Sequence, residues 1–225
     1  MKYIIIVLSF LILNCGEEAP PFRPDLSYLG SVKKGKLPYF RSENMDPDWD
    51  KDKNPEELKR FLSIDLTDSG GNSVSEKNLE GKFTIVSFFY TTCRGICPLI
   101  TSHLKGLSPE LERSSDFQML SISIDPQTDS VSKIAKYKKD QSISNSNWIF
   151  VTGDKDKIYE LARRSFNADT RLTSIEGAFD FVHSENIYLL DRDLYVRGIF
   201  QGKTKNSIPI ILKNLEVLRE ESRKD

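Results

Sequence analysis

The 225-residue chain has little cysteine and less histidine, three of the first and two of the second. Two cysteines in the body of the chain, Cys93 and Cys97, cannot form a disulfide framework for a whole fold. A structural zinc site wants four ligands, commonly in two closely spaced pairs, and the chain does not offer them. Charge of one sign is also missing, because 32 Lys and Arg nearly cancel 33 Asp and Glu and leave a net charge of -1. There is thus no bulk basic field to draw nucleic acid, and any partner is selected by local shape and chemistry. Internal repeats and low-complexity tracts are absent. The apolar stretch Tyr3 to Leu13, interrupted by Ser9, is eleven residues long. That is too short for a bilayer, which takes about 20 residues.

What the N-terminus does hold is a leader. Met1-Lys2 is a minimal positive region, and Tyr3 to Leu13 has the length of a signal-peptide apolar core. Ile12-Leu13-Asn14-Cys15 resembles a bacterial lipobox, with Asn14 where a small residue is usual. Residues 1–15 are therefore expected to be a signal peptide, with Cys15 acylated and the protein a membrane-anchored lipoprotein facing the periplasm. Two or more acyl chains anchor stably, since each buried CH₂ contributes about 0.8 kcal/mol. Residues 16–55 carry six of the ten prolines and the charged run Asp46-Pro-Asp-Trp-Asp-Lys-Asp-Lys. Proline fixes φ and removes a donor, so this segment is expected to be a flexible tether, with Tyr39-Phe40 and Trp49 able to dock back.

Residues 56–225 are expected to be one α/β domain. Phe61 to Leu66 and Asn72 to Ser75, around the turn Asp68-Ser-Gly-Gly-Asn, predict a hairpin. Thr84 to Tyr90 is a nearly continuous apolar run, as in a central strand buried on both faces. Pro98 suits the first turn of a helix carrying Leu99, Ile100, Leu104 and Leu107. A strand over Gln118 to Ile124 follows, then a helix from Asp129-Ser130 to Lys139. A strand over Trp148 to Val151 and a helix capped by Asp154 come next. Ala168 to Val182 shows no clear element. Asn186 to Leu190 and Leu194 to Phe200 read as a hairpin, and Ser207 opens a last helix with an apolar stripe. Alternating strands and helices predict a mainly parallel sheet covered on both faces and finished by an antiparallel pair, a thioredoxin-like arrangement.

The chemistry gathers where the central strand hands over to its helix. Helix N-termini carry partial positive charge and unpaired N–H groups, which stabilise a thiolate at Cys93 or Cys97, and Arg94 adds to that field. One helical turn would put the two Cα atoms roughly 6 Å apart, close enough to bridge or to chelate one ion. His103 falls about 120° around the helix from Cys97 and reads as a surface histidine.

The run Gly81-Lys82-Phe-Thr-Ile-Val-Ser-Phe-Phe-Tyr90-Thr-Thr-Cys93-Arg-Gly-Ile-Cys97-Pro98 resembles the signature of the Sco/SenC family, Cys-x-x-x-Cys-Pro after an apolar strand. Ser121-Ile-Ser-Ile-Asp125-Pro126 with Asp129 and Tyr137, Trp148 to Gly153, and Val182-His183-Ser184 before Ile187 are similar to later family segments, in order. The chain departs from the family in Arg94-Gly95-Ile96 within the cysteine loop and in Val182 before the histidine. The resemblance implies a central mixed β-sheet flanked by helices and an N-terminal β-hairpin. It also implies copper, Cu(I) or Cu(II), held by Cys93, Cys97 and His183. Soft thiolates select Cu(I) and imidazole suits Cu(II) as well. The implied partners are a copper-accepting cytochrome c oxidase subunit, a thiol-disulfide reductant or upstream copper donor, and the membrane that holds the anchor.

Two function classes follow. The first is a metallochaperone for the two-copper centre of the oxidase. The second is an extracytoplasmic thiol-disulfide oxidoreductase in which Cys93 and Cys97 are a redox pair. The histidine discriminates between them, since dithiol exchange does not need it. A peroxiredoxin-like peroxidase fits only loosely, with Cys97 one turn after Cys93.

Overall fold

The computed structural model describes residues 35–168, 172–175, 178–181 and 185–224, with 172–175 and 178–181 as backbone. Cys15 and His183 lie outside the described residues.

Strands β1 (Tyr39–Arg41) and β2 (Asp46–Asp48) form a small antiparallel pair ahead of the main domain. The domain opens with β3 (Leu66–Asp68), β4 (Ser73–Val74) and the single turn α1 (Glu76–Leu79). Then come β5 (Phe83–Phe89), α2 (Ile96–Leu104), α3 (Ser108–Arg113) and β6 (Phe117–Ser123). The helices α4 (Val131–Asp140) and α5 (Lys155–Phe166) bracket β7 (Trp148–Gly153). The hairpin of β8 (Leu172–Ile175) and β9 (Ala178–Phe181) precedes β10 (Asn186–Leu190), β11 (Val196–Gln201) and α6 (Ser207–Glu221). Seven strands make one sheet in the order β11-β10-β5-β6-β7-β3-β4. β5, β6 and β7 run parallel, whereas β10 against β5 and β3 against β7 are antiparallel. This is the mixed sheet, helix-flanked and led by a hairpin, that the sequence predicts.

Strand β5 explains why. All seven of its residues are buried, because helices or docked chain cover both faces. Phe83, Ile85 and Phe89 pack with α2, α3, α4 and α6, while Val86 and Phe88 pack with α1, α5 and the N-terminal segment. Five such side chains contribute on the order of 10 kcal/mol, comparable to the whole net stability of a domain. The strand is thus a fixed floor for whatever follows it.

Three expectations change. The tether expected over residues 16–55 gives way, within the described residues, to docked chain from Leu37 onward, with Leu37 and Phe40 in the core. The cause is a buried ion cluster far away in sequence. Arg197 donates to the Leu37 and Pro38 carbonyls, pairs with Asp191 at 3.0 Å and Glu221 at 2.7 Å, and lies over the Tyr39 ring. Glu221 also accepts from the Leu37 N–H at 2.6 Å. Burial pulls the Arg197 pKa down, but the Asp191 and Glu221 charges outweigh it and hold the guanidinium above its ordinary value. A second arginine, Arg41, pairs with Asp48 and donates to the Asp50 and Asn54 carbonyls, folding the acidic run around one cation. The second change is at 168–182, expected to lack elements, where Leu172–Ile175 and Ala178–Phe181 pair antiparallel in register Leu172 to Phe181. The first hairpin is also shorter than expected. Phe61 donates its N–H to the Leu194 carbonyl instead of to a ladder, and β3 begins at Leu66.

Removing a single partner from a buried ion cluster leaves uncompensated charge. Arg197→Ala should therefore cost about 3–5 kcal/mol. Urea unfolding would read this as a lowered midpoint, and a loss under 1 kcal/mol would contradict the role given to the cluster.

Candidate functional site

Strands β5 and β6 end side by side, with Phe89 in register with Ser123 and the Ile124 N–H donating to the Phe89 carbonyl at 2.9 Å. The two loops that leave the sheet here are therefore neighbours. One carries Thr91 to Ile96 and the other Asp125 to Ser130. They are joined by the Asp129 carboxylate, which is fully buried. It accepts from the Thr91 N–H at 3.0 Å, from the Thr91 hydroxyl, and from the Ser123 hydroxyl at 2.6 Å. The sequence reading places Asp129 with Ser130 at a helix cap. In the fold Ser130 alone caps α4, through the Lys133 N–H, and Asp129 turns inward to hold the cysteine loop. Asp125-Pro126 forms the turn between them, the Asp125 carbonyl accepting from Thr128 and Asp129.

The structure brings Cys93 and Cys97 together as two free thiols. Cys93 is 8% exposed and Cys97 2%. Gly95 sits at the N-cap of α2 and has no side chain to offer its open N–H groups. The sulfur of Cys93 takes that place, accepting from the Cys97 N–H at 3.4 Å. Burial pushes the Cys93 thiol up. Hydrogen bonds from the Cys97 thiol, from the Cys97 and Gly95 backbone and from the Tyr90 side chain outweigh it, so Cys93 lies below its ordinary pKa. These bonds, and not the exposed Arg94, are the main causes of the lowering. Cys97 goes the other way. Its burial comes first, and the Cys93 contact and the Asp129 charge add to it, holding the thiol well above the ordinary range. The pair is therefore asymmetric, with Cys93 the more readily ionised thiol and Cys97 the one that holds its proton.

Tyr137 completes the floor. Its hydroxyl lies 3.1 Å from the Thr101 hydroxyl, and its ring packs on Phe89. Burial, against the opposing Thr101 hydrogen bond, pushes the phenol up to about 12, so it stays protonated. On α2, Ile100 and Leu104 turn into the core as expected, but Leu99 is 43% exposed. His103, expected on the surface, is 6% exposed, with Nδ1 2.8 Å from the Gly202 carbonyl.

Among the described residues no group of three or more metal-ligating side chains is assembled, and no helix is long and apolar enough to cross a membrane. Strand β10 pairs Tyr188 with Val86, so its first residue, Asn186, is at the end of the sheet from which the cysteine loop leaves. The arrangement can bind one soft metal ion between two sulfurs, or exchange a disulfide through Cys93 with Cys97 as resolving thiol. Thr91, Asp129 and Tyr137 support the loop. The resemblance names Asp129 and Tyr137 but not what they touch, because those contacts are made across neighbouring elements.

The SCO1/SenC family model matches residues 52–218. A SCO1 protein homolog of Bacillus subtilis (strain 168) is 32% identical over 134 residues, spanning 59% of this chain and 68% of that one. BsSco is a member of the Sco family of cytochrome c oxidase assembly proteins in which a disulfide switch was identified. It is similar in structure, with a TM-score of 0.62 at 25% identity over 71% of this chain and 93% of that chain. Arabidopsis thaliana ScoI with copper bound gives a TM-score of 0.58 at 26% identity over 71% and 98% of the two chains.

The asymmetry predicts an order of modification. With rising pH, alkylation of the reduced protein should start at Cys93, below the pH at which a free thiol reacts, with Cys97 lagging. Mass mapping of the labelled peptides reads this directly, and equal or earlier labelling of Cys97 would contradict it.

Proposed function

The chain belongs to the SCO1/SenC family, and from that premise we propose that it is a copper metallochaperone for assembly of the two-copper centre of cytochrome c oxidase. The observation that carries the reading is the pair of adjacent buried sulfurs at the start of α2, Cys93 accepting from the Cys97 N–H and the more readily ionised of the two. Two buried soft sulfur donors suit Cu(I). We assign His183 as the third ligand, two residues before Glu185, whose carbonyl is held at the α2 side of the sheet by Gly202. Two sulfurs and one imidazole leave the ion's coordination incomplete, so an acceptor's ligand can enter before a donor's leaves. The ion is cargo here. Cys93 receives it first, Cys97 gives up its proton as the second sulfur closes, and Asp129 keeps the loop in place throughout.

The proposed location follows from the leader. Export and acylation at Cys15 would hold the domain at a membrane surface on the periplasmic side, where the oxidase subunit presents its copper-accepting cysteines.

A second reading is favoured by the thiol asymmetry itself. In a thiol-disulfide oxidoreductase, the Cys93 thiolate attacks a disulfide in the acceptor and forms a mixed disulfide. Cys97 then displaces it, leaving the acceptor with two thiols and this chain with a Cys93–Cys97 disulfide. A separate dithiol reductant would have to return the pair to the reduced state.

Anaerobic titration of the reduced protein with Cu(I) against a competing chelator separates the two. One tightly held copper per chain, weakened in His183→Ala and largely lost in Cys93→Ala, is the expected result. Failure of the wild type to outcompete a weak chelator would sink the chaperone reading and leave the redox pair. Because Cys97 holds its proton well above the ordinary range, binding must release it. The apparent affinity should thus rise at least about tenfold per pH unit across neutrality, and a flat profile would contradict the protonated Cys97.

A further inference from the structure

His103 has no part in the chemistry described so far, yet it is more buried than Cys93. It lies on α2, six residues after Cys97, and faces the turn that follows β11 instead of solvent. A carbonyl can only accept, so the 2.8 Å contact to the Gly202 oxygen fixes the proton on His103 Nδ1. Gly202 uses its other backbone group in the opposite direction, donating its N–H to the Glu185 carbonyl at 2.8 Å. The two backbone groups of one residue thus connect the cysteine helix to the chain just before β10.

The glycine is required by the same contact. A Cβ on Gly202 would fall 2.7 Å from the Glu185 oxygen and 2.9 Å from Ile100 Cγ1, closer than real Cβ atoms come. Ile100 is one turn after Cys97 on α2, so the helix and the chain at Glu185 converge on the missing side chain. Backbone just before β10, backbone from the β11 turn and two side chains of α2 meet at this point. The meeting lies one to two turns along the helix from the thiols.

We infer that His103 is a positioning residue, which acts through Gly202 to fix the chain at Glu185 relative to the Cys93–Cys97 pair and so sets the approach of the third copper ligand. The inference rests on the three-ligand reading above. It assigns to His103 no contact with metal. Its effect is on where the chain at Glu185 sits relative to the two thiols at the start of α2. Groups that hydrogen-bond a metal ligand directly typically change affinity by about 10–100-fold when lost, and a residue that acts at one remove through Gly202 is expected at the lower end of that range.

The test compares His103→Leu, which deletes the donor, with His103→Asn, whose side-chain N–H hangs from the same carbon as Nδ1. Two readouts are needed. Amide hydrogen exchange of the metal-free full chain follows the Gly202 N–H directly. Cu(II) titration with electron paramagnetic resonance follows the nitrogen ligand, and the Cys93 alkylation rate serves as a check on the thiols. His103→Leu should speed exchange at Gly202 and weaken Cu(II) by about tenfold or more, with Cys93 alkylation unchanged. His103→Asn should restore most of both. Wild-type exchange at Gly202 in His103→Leu would overturn the inference, as would a His103→Asn no better than His103→Leu. His183→Ala is run alongside. If it binds Cu(II) as the wild type does while His103→Leu still loosens Gly202, the three-ligand reading has failed, and the claim that His103 positions a ligand goes with it. The hydrogen-bonded link itself would remain.

Discussion

A strand buried on both faces tolerates no slip, and β5 is such a strand. Its seven residues face two separate cores, so moving it by one residue would exchange every side chain between them. Its end point at Phe89 is therefore fixed, and the cysteine loop begins from a defined place. The parallel neighbour β6 ends level with it, which brings the Asp129 loop alongside at no further cost in chain ordering. The site is a consequence of where those two strands stop.

The loop itself is held by polar groups. A carboxylate buried without a cation is unfavourable unless donors surround it, and Asp129 has three. Its charge then acts on the thiols, helping to keep the proton on Cys97. At Cys93 the helix start supplies the opposite influence through the N–H of Cys97. Two sulfurs four residues apart thus come to differ by environment alone. A metal that binds both must work against the Cys97 proton, which makes loading and release sensitive to protons. That property suits a carrier better than a permanent site.

Much of this was legible in the sequence. The run Thr84 to Tyr90 could only be a two-sided strand, Asp154 caps α5 as its position before Lys155 implies, and Cys-x-x-x-Cys-Pro sits where a strand passes to a helix. The parts that were not legible depend on partners distant in the chain. Leu37 docks because Arg197, 160 residues later, needs its carbonyl. His103 looks like a surface residue by helical angle, but the β11 turn covers that side of α2. Asp129 reads as a helix cap because its true partner, Thr91, belongs to another strand's loop. Leu99 falls in the apolar pattern of α2 and is nonetheless exposed, since the core is reached through Ile100 and Leu104.

The central claim is that one copper ion is held by two sulfurs and one nitrogen from this chain. X-ray absorption at the copper edge, recorded on the loaded protein and on His183→Ala, addresses the ligand set without reference to affinity. The account predicts two sulfur scatterers and one nitrogen scatterer in the wild type, with the nitrogen lost in the variant and both sulfurs kept. A wild-type spectrum with sulfur alone, or the same nitrogen signal in both proteins, would contradict it.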